Sequence, residues 1–152
     1  MKKIIITMLS IIFISTNISF AYSPDPTVDK FVSDLELIKN DLTILTKAMM
    51  GLENKTNEQI NEIKKDIDST SSEVNYSIAR VNNLYKASND PILRKQYSAI
   101  SNTLSSYSFA LDSLLLYLND SNDLNQFLDA VYEIRTGNNS LNDIKESFSR
   151  KK

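Results

Sequence analysis

The chain contains no cysteine, histidine or tryptophan, and it has only two glycines and three prolines among its 152 residues. Without cysteine there can be no disulfide, and without histidine there can be no His-based catalytic triad. The two absences together exclude Cys/His zinc sites. Scarce glycine and proline argue against a β-sandwich or β-barrel, which needs turn residues at short intervals. Because 41% of the residues are hydrophobic and 24% are charged, the composition is that of a folded domain.

Few of the remaining residue types favour catalysis or cofactor binding. Two isolated glycines cannot form a glycine-rich phosphate loop, and no Glu-x-x-His pair is present for a di-iron centre. Most acidic residues lie outside the apolar positions described below, where solvated charges are expected. The sequence therefore predicts a protein that is not an enzyme and uses no cofactor, metal or small-molecule substrate.

The first residues have the three parts of a secretory signal peptide. Lys2 and Lys3 form a short basic region, and residues 4–14 form an apolar stretch. Ser19 and Ala21 then place small side chains at positions −3 and −1 of a signal-peptidase site. This arrangement predicts cleavage after Ala21.

We therefore expect a signal peptide over residues 1–21 and a helical bundle domain over residues 22–152. The alternative is an uncleaved membrane anchor, for which the apolar stretch is short. The lysine pair and the short apolar stretch are typical of bacterial export, so we expect a protein that crosses the inner membrane and is periplasmic or secreted. The mature chain has four more acidic than basic residues, which does not favour a nucleic-acid partner.

Apolar residues recur at alternating spacings of three and four along most of the mature chain, as in coiled coils. These heptad registers predict three long helices, over residues 26–50, 57–87 and 91–119. The second register continues through residues 68–72, a serine- and threonine-rich segment of low helix propensity. Because the phase is kept, we expect one continuous helix there rather than a loop.

Capping residues mark the ends of these helices. Asp25 and Asp90 each precede a proline, which combines an N-cap carboxylate with the residue best suited to the first helical position. Thr56, followed three residues later by Gln59, matches a capping box. Gly51 is expected to end the first helix, because glycine readily adopts the left-handed conformation.

The last part of the chain predicts an interrupted fourth helix. A helix is expected over residues 123–136, followed by a break at residues 137–139 and a short helix over residues 141–150. The core positions assigned to the first piece are Leu124, Phe127, Leu128, Val131 and Ile134. The predicted fold is all-α: an elongated antiparallel bundle of three long helices plus a broken fourth, with coiled-coil-like heptad packing. The alternative is a long helical hairpin that completes its core only in an oligomer.

Two helices carry apolar residues outside their heptad seams. Leu37 and Ile44 lie seven residues apart in the first helix, and Phe109 and Leu116 do so in the third, with Leu115 beside them. Such second stripes arise when a helix touches two neighbours inside a four-helix core. They also mark surfaces that bind a partner or a second copy.

These features together predict an exported interaction protein of the bacterial cell envelope. It would dock a helix face onto a partner protein or onto itself, in an accessory, adaptor or chaperone-like role. The alternative is a membrane-active helical protein that inserts the apolar end of the third helix, residues 105–118, into lipid. Membrane contact is otherwise not favoured, because the mature chain is mildly acidic.

Overall fold

The computed structural model of the chain describes residues 25–149, and within this range the chain forms four α-helices and one short 3-10 helix. The helices are α1 (Pro26–Met49), α2 (Asn57–Ala87), α3 (Pro91–Asn119) and α4 (Leu124–Ser149). Their lengths correspond to about 36 to 46 Å, at 1.5 Å per residue. The predicted signal peptide, residues 1–21, and the predicted cleavage after Ala21 lie outside the described residues. The all-α bundle is confirmed.

The predicted capping residues form the expected hydrogen bonds. The Asp25 and Asp90 carboxylates each accept a hydrogen bond from a backbone N–H two residues further on, at 2.8 and 2.7 Å. Thr56 and Gln59 form the reciprocal capping box that begins α2. Gly51 adopts the predicted left-handed conformation, with a φ of 70°. It does not itself end α1, however, because the C-cap is Met50, which is already extended with a ψ of 129°.

Helix α2 runs without interruption through residues 68–72, as its register predicts. The hydroxyl groups in this segment bond within the helix. Thr70 Oγ1 donates to the Asp66 carbonyl at 2.9 Å, and Ser72 Oγ donates to the Asp68 carbonyl at 2.8 Å. Each hydroxyl bonds the carbonyl four residues earlier, a pattern that is compatible with a continuous helix.

The predicted break in the fourth helix is wrong, because α4 continues through residues 137–139. Gly137 is buried inside this helix and faces Tyr107 of α3. A Cβ atom at position 137 would lie 2.4 Å from Tyr107 Cε1, much closer than real Cβ atoms come. Asn138 then accepts a hydrogen bond from the Tyr107 hydroxyl at 2.8 Å. Gly137 therefore allows a close helix–helix approach and does not end a helix.

The rotation of α4 also differs from the prediction. Leu124, Leu128 and Val131 were assigned to the core, yet all three are exposed. The face that packs inward repeats at spacings of three and four and consists of Phe127, Ala130, Ile134, Gly137, Leu141 and Ile144. Two small residues, Ala130 and Gly137, lie in this face and let the helix come close to α3, while Leu124, Leu128 and Val131 face outward.

The helices pack antiparallel to their chain neighbours, and α3 contacts all three others. The Arg80 guanidinium lies 5.0 Å from the Phe31 ring centre, which joins the second half of α2 to the start of α1. Lys145 Nζ lies 2.6 Å from Glu36 Oε1, which joins the end of α4 to the first half of α1. We call the end where α1 and α3 begin the termini end, and the opposite end the loop end.

The heptad positions of the first three helices form the core. All eight apolar residues of the first register, from Val28 to Leu52, are buried. In the second and third registers only the first and last residues are partly exposed. The described residues of one chain therefore close a core by themselves, so the alternative of a hairpin that needs an oligomer for its core is not observed.

Candidate interaction surface

The outer side of α3 carries two large apolar side chains. Phe109 and Leu116 are 62% and 53% exposed, whereas Leu111 and Leu114 on the same helix are 1% and 0% exposed. Phe109 is two residues from a seam position, which turns its side chain about 200° around the helix axis. Leu115 is partly buried and packs against the core. We call Phe109 and Leu116 the α3 ridge.

The flank of α1 carries a second pair. Leu37 and Ile44 are both more than half exposed, and we call them the α1 ridge. Ile44 borders a shallow groove between α1 and α2 whose other lining residues are Asp41, Leu45, Asp66, Ser69 and Thr70. The α1 ridge thus lies on the side of α1 that is next to α2.

The two ridges do not form a single patch. The seams of α1 and α3 pack into the same core, so the α3 ridge, on the back of its helix, points away from α1. Four of the five residues singled out by the sequence are therefore exposed, on two separate surfaces. Their exposure rules out the explanation that Leu37, Ile44, Phe109 and Leu116 are core contacts within one chain.

A third apolar surface was missed by the sequence analysis. Leu124, Leu128, Val131 and Tyr132 are exposed along the first half of α4, and we call them the α4 stripe. The signal that would have found it is the spacing of the small residues. If Ala130 and Gly137 are counted as core positions, the inward face of α4 is fixed and these larger side chains turn outward.

One surface ion pair connects α1 with α4, and a second lies within α1. Glu36 accepts from Lys145 Nζ at 2.6 Å and from Lys39 Nζ at 3.2 Å. The hydrogen bond from Lys145, together with the nearby Lys39, lowers the pKa of the Glu36 carboxyl despite its partial burial. This arrangement is a network of two ion pairs that share the Glu36 carboxylate.

Tyr107 is the largest fully buried side chain in the bundle. Its hydroxyl donates to Asn138 Oδ1 at 2.8 Å. Burial raises the pKa of Tyr107 well above the usual tyrosine value, and the negative charge of Glu36 acts in the same direction. Burial, with a smaller effect of Asp25, also raises the pKa of Tyr97. Both phenols are therefore neutral core groups.

The described residues offer little polar chemistry beyond these contacts. Across residues 25–149, no group of three or more acidic side chains is placed to hold a metal ion. Every buried side-chain nitrogen or oxygen in that range has a hydrogen-bond partner. The described surface also offers a ligand apolar area on three helices, which can be buried against another surface.

One further groove lies at the termini end, between the first half of α3 and the last half of α4. Its volume is about 420 Å³. Ile92, Ala99 and Ile144 supply apolar lining, and Lys95 and Asp143 contribute opposite charges. The groove thus combines an apolar floor with a charged rim.

No protein-family model matches the chain, and no similar curated protein or solved structure is found. Between Asp25 and Ser149, no helix combines the length and the apolar character needed to cross a membrane.

Proposed function

We propose that this chain is an exported, non-enzymatic interaction protein of the bacterial cell envelope that docks through exposed helix faces. The observation that carries the proposal is the contrast along α3. Phe109 and Leu116 are exposed, although the seam residues of the same helix already close the core. Exposed apolar side chains repeated two turns apart are the anchors used when helical surfaces pack together.

The proposed partner is another protein or a second copy of this chain. Phe109 supplies an aromatic anchor and Leu116 an aliphatic one, and aromatic residues are enriched at protein interfaces. The α1 ridge offers a second contact surface on a different side. The proposed location, periplasmic or secreted, is supported by the signal-peptide features of residues 1–21.

The alternative raised by the sequence is insertion of residues 105–118 into lipid. This would require the bundle to open and expose Leu111 and Leu114, which are fully buried. We therefore favour docking of the folded bundle.

Site-specific photo-crosslinking in cells that export the protein tests the proposal. A photoreactive amino acid replaces Phe109 in one variant and Asp68, an exposed residue of α2, in the control. Docking through the α3 ridge predicts a discrete adduct from position 109 that is absent from position 68. Equal yields from both positions, or no adduct from position 109, would contradict it.

A further inference from the structure

The charges are distributed unevenly along the bundle. The middle level is marked by Tyr107, which contacts Gly137 and lies near Glu36. In the half toward the termini end, the described residues include six basic and seven acidic side chains. The half toward the loop end has six basic and twelve acidic side chains. The bundle therefore has a strongly acidic loop end and a nearly balanced termini end.

Three exposed cations lie at the termini end. Lys86 is in the last turn of α2, and Arg94 and Lys95 are in the second turn of α3. The Arg94 guanidinium of α3 lies 4.6 Å from the ring centre of Tyr85, so it packs against the last part of α2. Within the described part of the chain, none of the three lies within 4.0 Å of a carboxylate oxygen.

The capping carboxylates at the termini end already accept hydrogen bonds from the backbone. Asp25 and Asp90 accept hydrogen bonds from the first N–H groups of α1 and α3, where a helix N-terminus carries partial positive charge. Asp143 lines the same groove as Lys95 but does not form an ion pair with it. The positive charge of Lys86, Arg94 and Lys95 therefore remains available to an anionic ligand.

Helix α1 begins and helix α4 ends at this end of the bundle. The apolar segment 4–14 precedes α1, which begins at the termini end. In the sequence, three basic residues, Arg150-Lys151-Lys152, directly follow the last residue of α4. An apolar side chain, Ile92, is 47% exposed in the first turn of α3 and lines the same groove as Lys95.

We propose that the termini end docks on the anionic headgroups of a phospholipid bilayer. Lys86, Arg94 and Lys95 would bind headgroup phosphates. Ile92 would contact the boundary between headgroups and acyl chains. The acidic loop end would be repelled by the same surface, which sets the orientation. The inference does not depend on a protein partner.

Vesicle flotation with the chain that begins at Tyr22 tests this inference, because this chain contains the entire described bundle without the apolar segment. Vesicles of phosphatidylcholine alone are compared with vesicles that also contain phosphatidylglycerol. The test variant carries Lys86→Ala, Arg94→Ala and Lys95→Ala. The matched control removes three lysines from the loop-end half, with Lys55→Ala, Lys64→Ala and Lys65→Ala.

We expect the unaltered chain to float only with the anionic vesicles and to be released as salt increases. The partition coefficient of the chain between water and the anionic vesicles should fall about fivefold for each removed cation. For the test variant, which lacks three cations, the fall should be on the order of 100-fold. The control variant should bind at least as well as the unaltered chain. Absence of flotation with anionic vesicles, equal flotation with neutral ones, or an equal loss in the control would overturn the inference. Leakage of an entrapped dye would also contradict it, because surface docking leaves the bilayer intact.

Discussion

Tyr107 of α3 lies directly over Gly137 of α4, so close that a Cβ atom at position 137 would be 2.4 Å from the tyrosine ring. The ring also donates its hydroxyl hydrogen bond to the next residue of the same helix, Asn138. This contact explains why a glycine is found in the middle of a helix, where it costs helix stability. It also sets the rotation of α4 and therefore which of its side chains face solvent.

We predict that Gly137→Ala destabilises the protein. Alanine favours a helix over glycine by up to about 1 kcal/mol. The methyl group would nevertheless overpack the contact with Tyr107, and overpacking typically costs about 1–3 kcal/mol. The expected net loss is about 1–2 kcal/mol in the free energy of unfolding, measured by urea denaturation.

Asn139→Ala is the matched control for this substitution. Asn139 is two residues further along α4 and exposed, so alanine there gains helix propensity without a new contact. This variant should be as stable as the unaltered protein or slightly more so. A Gly137→Ala variant that gains as much stability as Asn139→Ala would show that the close approach does not exist.

The sequence predicted α1, α2 and α3 well because large apolar residues occupy nearly every seam position, and capping residues mark the start of each helix. It failed for α4 for a physical reason. The seam of that helix contains Ala130 and Gly137, and neither stands out as apolar in a hydropathy pattern. Whether a glycine ends a helix or lets two helices approach depends on its neighbour, here Tyr107, which lies 30 residues earlier in the chain.

The candidate surface was predictable only in part. Residues outside a heptad seam can be found from spacing, as the α1 and α3 ridges were. Whether they are buried by a neighbouring helix depends on the arrangement of all four helices, which spacing does not reveal. The α4 stripe shows the opposite case, because Leu128 fits a core pattern yet is exposed.

The rotation of α4 can be tested by comparing Leu128→Ser with Leu141→Ala. Leu128 is exposed and Leu141 is fully buried. Leu128→Ser should change the free energy of unfolding by no more than about 0.5 kcal/mol. Leu141→Ala should cost about 2–5 kcal/mol, because it leaves a cavity against α3. Urea denaturation of both variants measures the two losses in the free energy of unfolding. A larger loss for Leu128→Ser than for Leu141→Ala would contradict the rotation of α4 described above, because it would mean that Leu128 faces the core.

Stability should decrease at alkaline pH because of the buried phenols. The pKa of Tyr107 is raised in the folded state, whereas tyrosine in an unfolded chain ionises near a pKa of about 10. Below that pH the phenol is neutral in both states and its stabilising effect is complete. As pH rises further, the unfolded chain loses the proton more readily, so the free energy of unfolding falls.

Tyr107→Phe identifies the group responsible for this pH dependence. The variant should lose about 0.5–1.5 kcal/mol at neutral pH, because the hydrogen bond to Asn138 is absent. It should also show a shallower decline in stability above pH 10, with the remaining slope due partly to Tyr97, whose pKa is also raised. Denaturation at several alkaline pH values measures both effects, and an unchanged slope would exclude Tyr107 as the titrating group.

Export should yield a chain that begins at Tyr22. The expectation follows from Ser19 and Ala21, the small residues at the signal-peptidase positions. Intact-mass measurement and N-terminal sequencing of the protein from the periplasm and the medium check it. A full-length product that sediments with membranes would instead identify residues 4–14 as a retained anchor.

The central claim is that the α3 ridge binds a partner protein or a second copy of the chain, whereas the seam of α3 only stabilises the folded bundle. One comparison of two variants tests this claim most directly. Leu111→Ala and Leu116→Ala are measured side by side for thermal stability and for crosslinking from position 109, well below both melting temperatures. Leu111→Ala should cost about 2–5 kcal/mol out of a total of about 5–15 kcal/mol, yet retain crosslinking. Leu116→Ala should change stability by about 0.5 kcal/mol or less and lose most of the crosslinked product. Equal, large destabilisation by both substitutions, or full crosslinking by Leu116→Ala, would contradict the account.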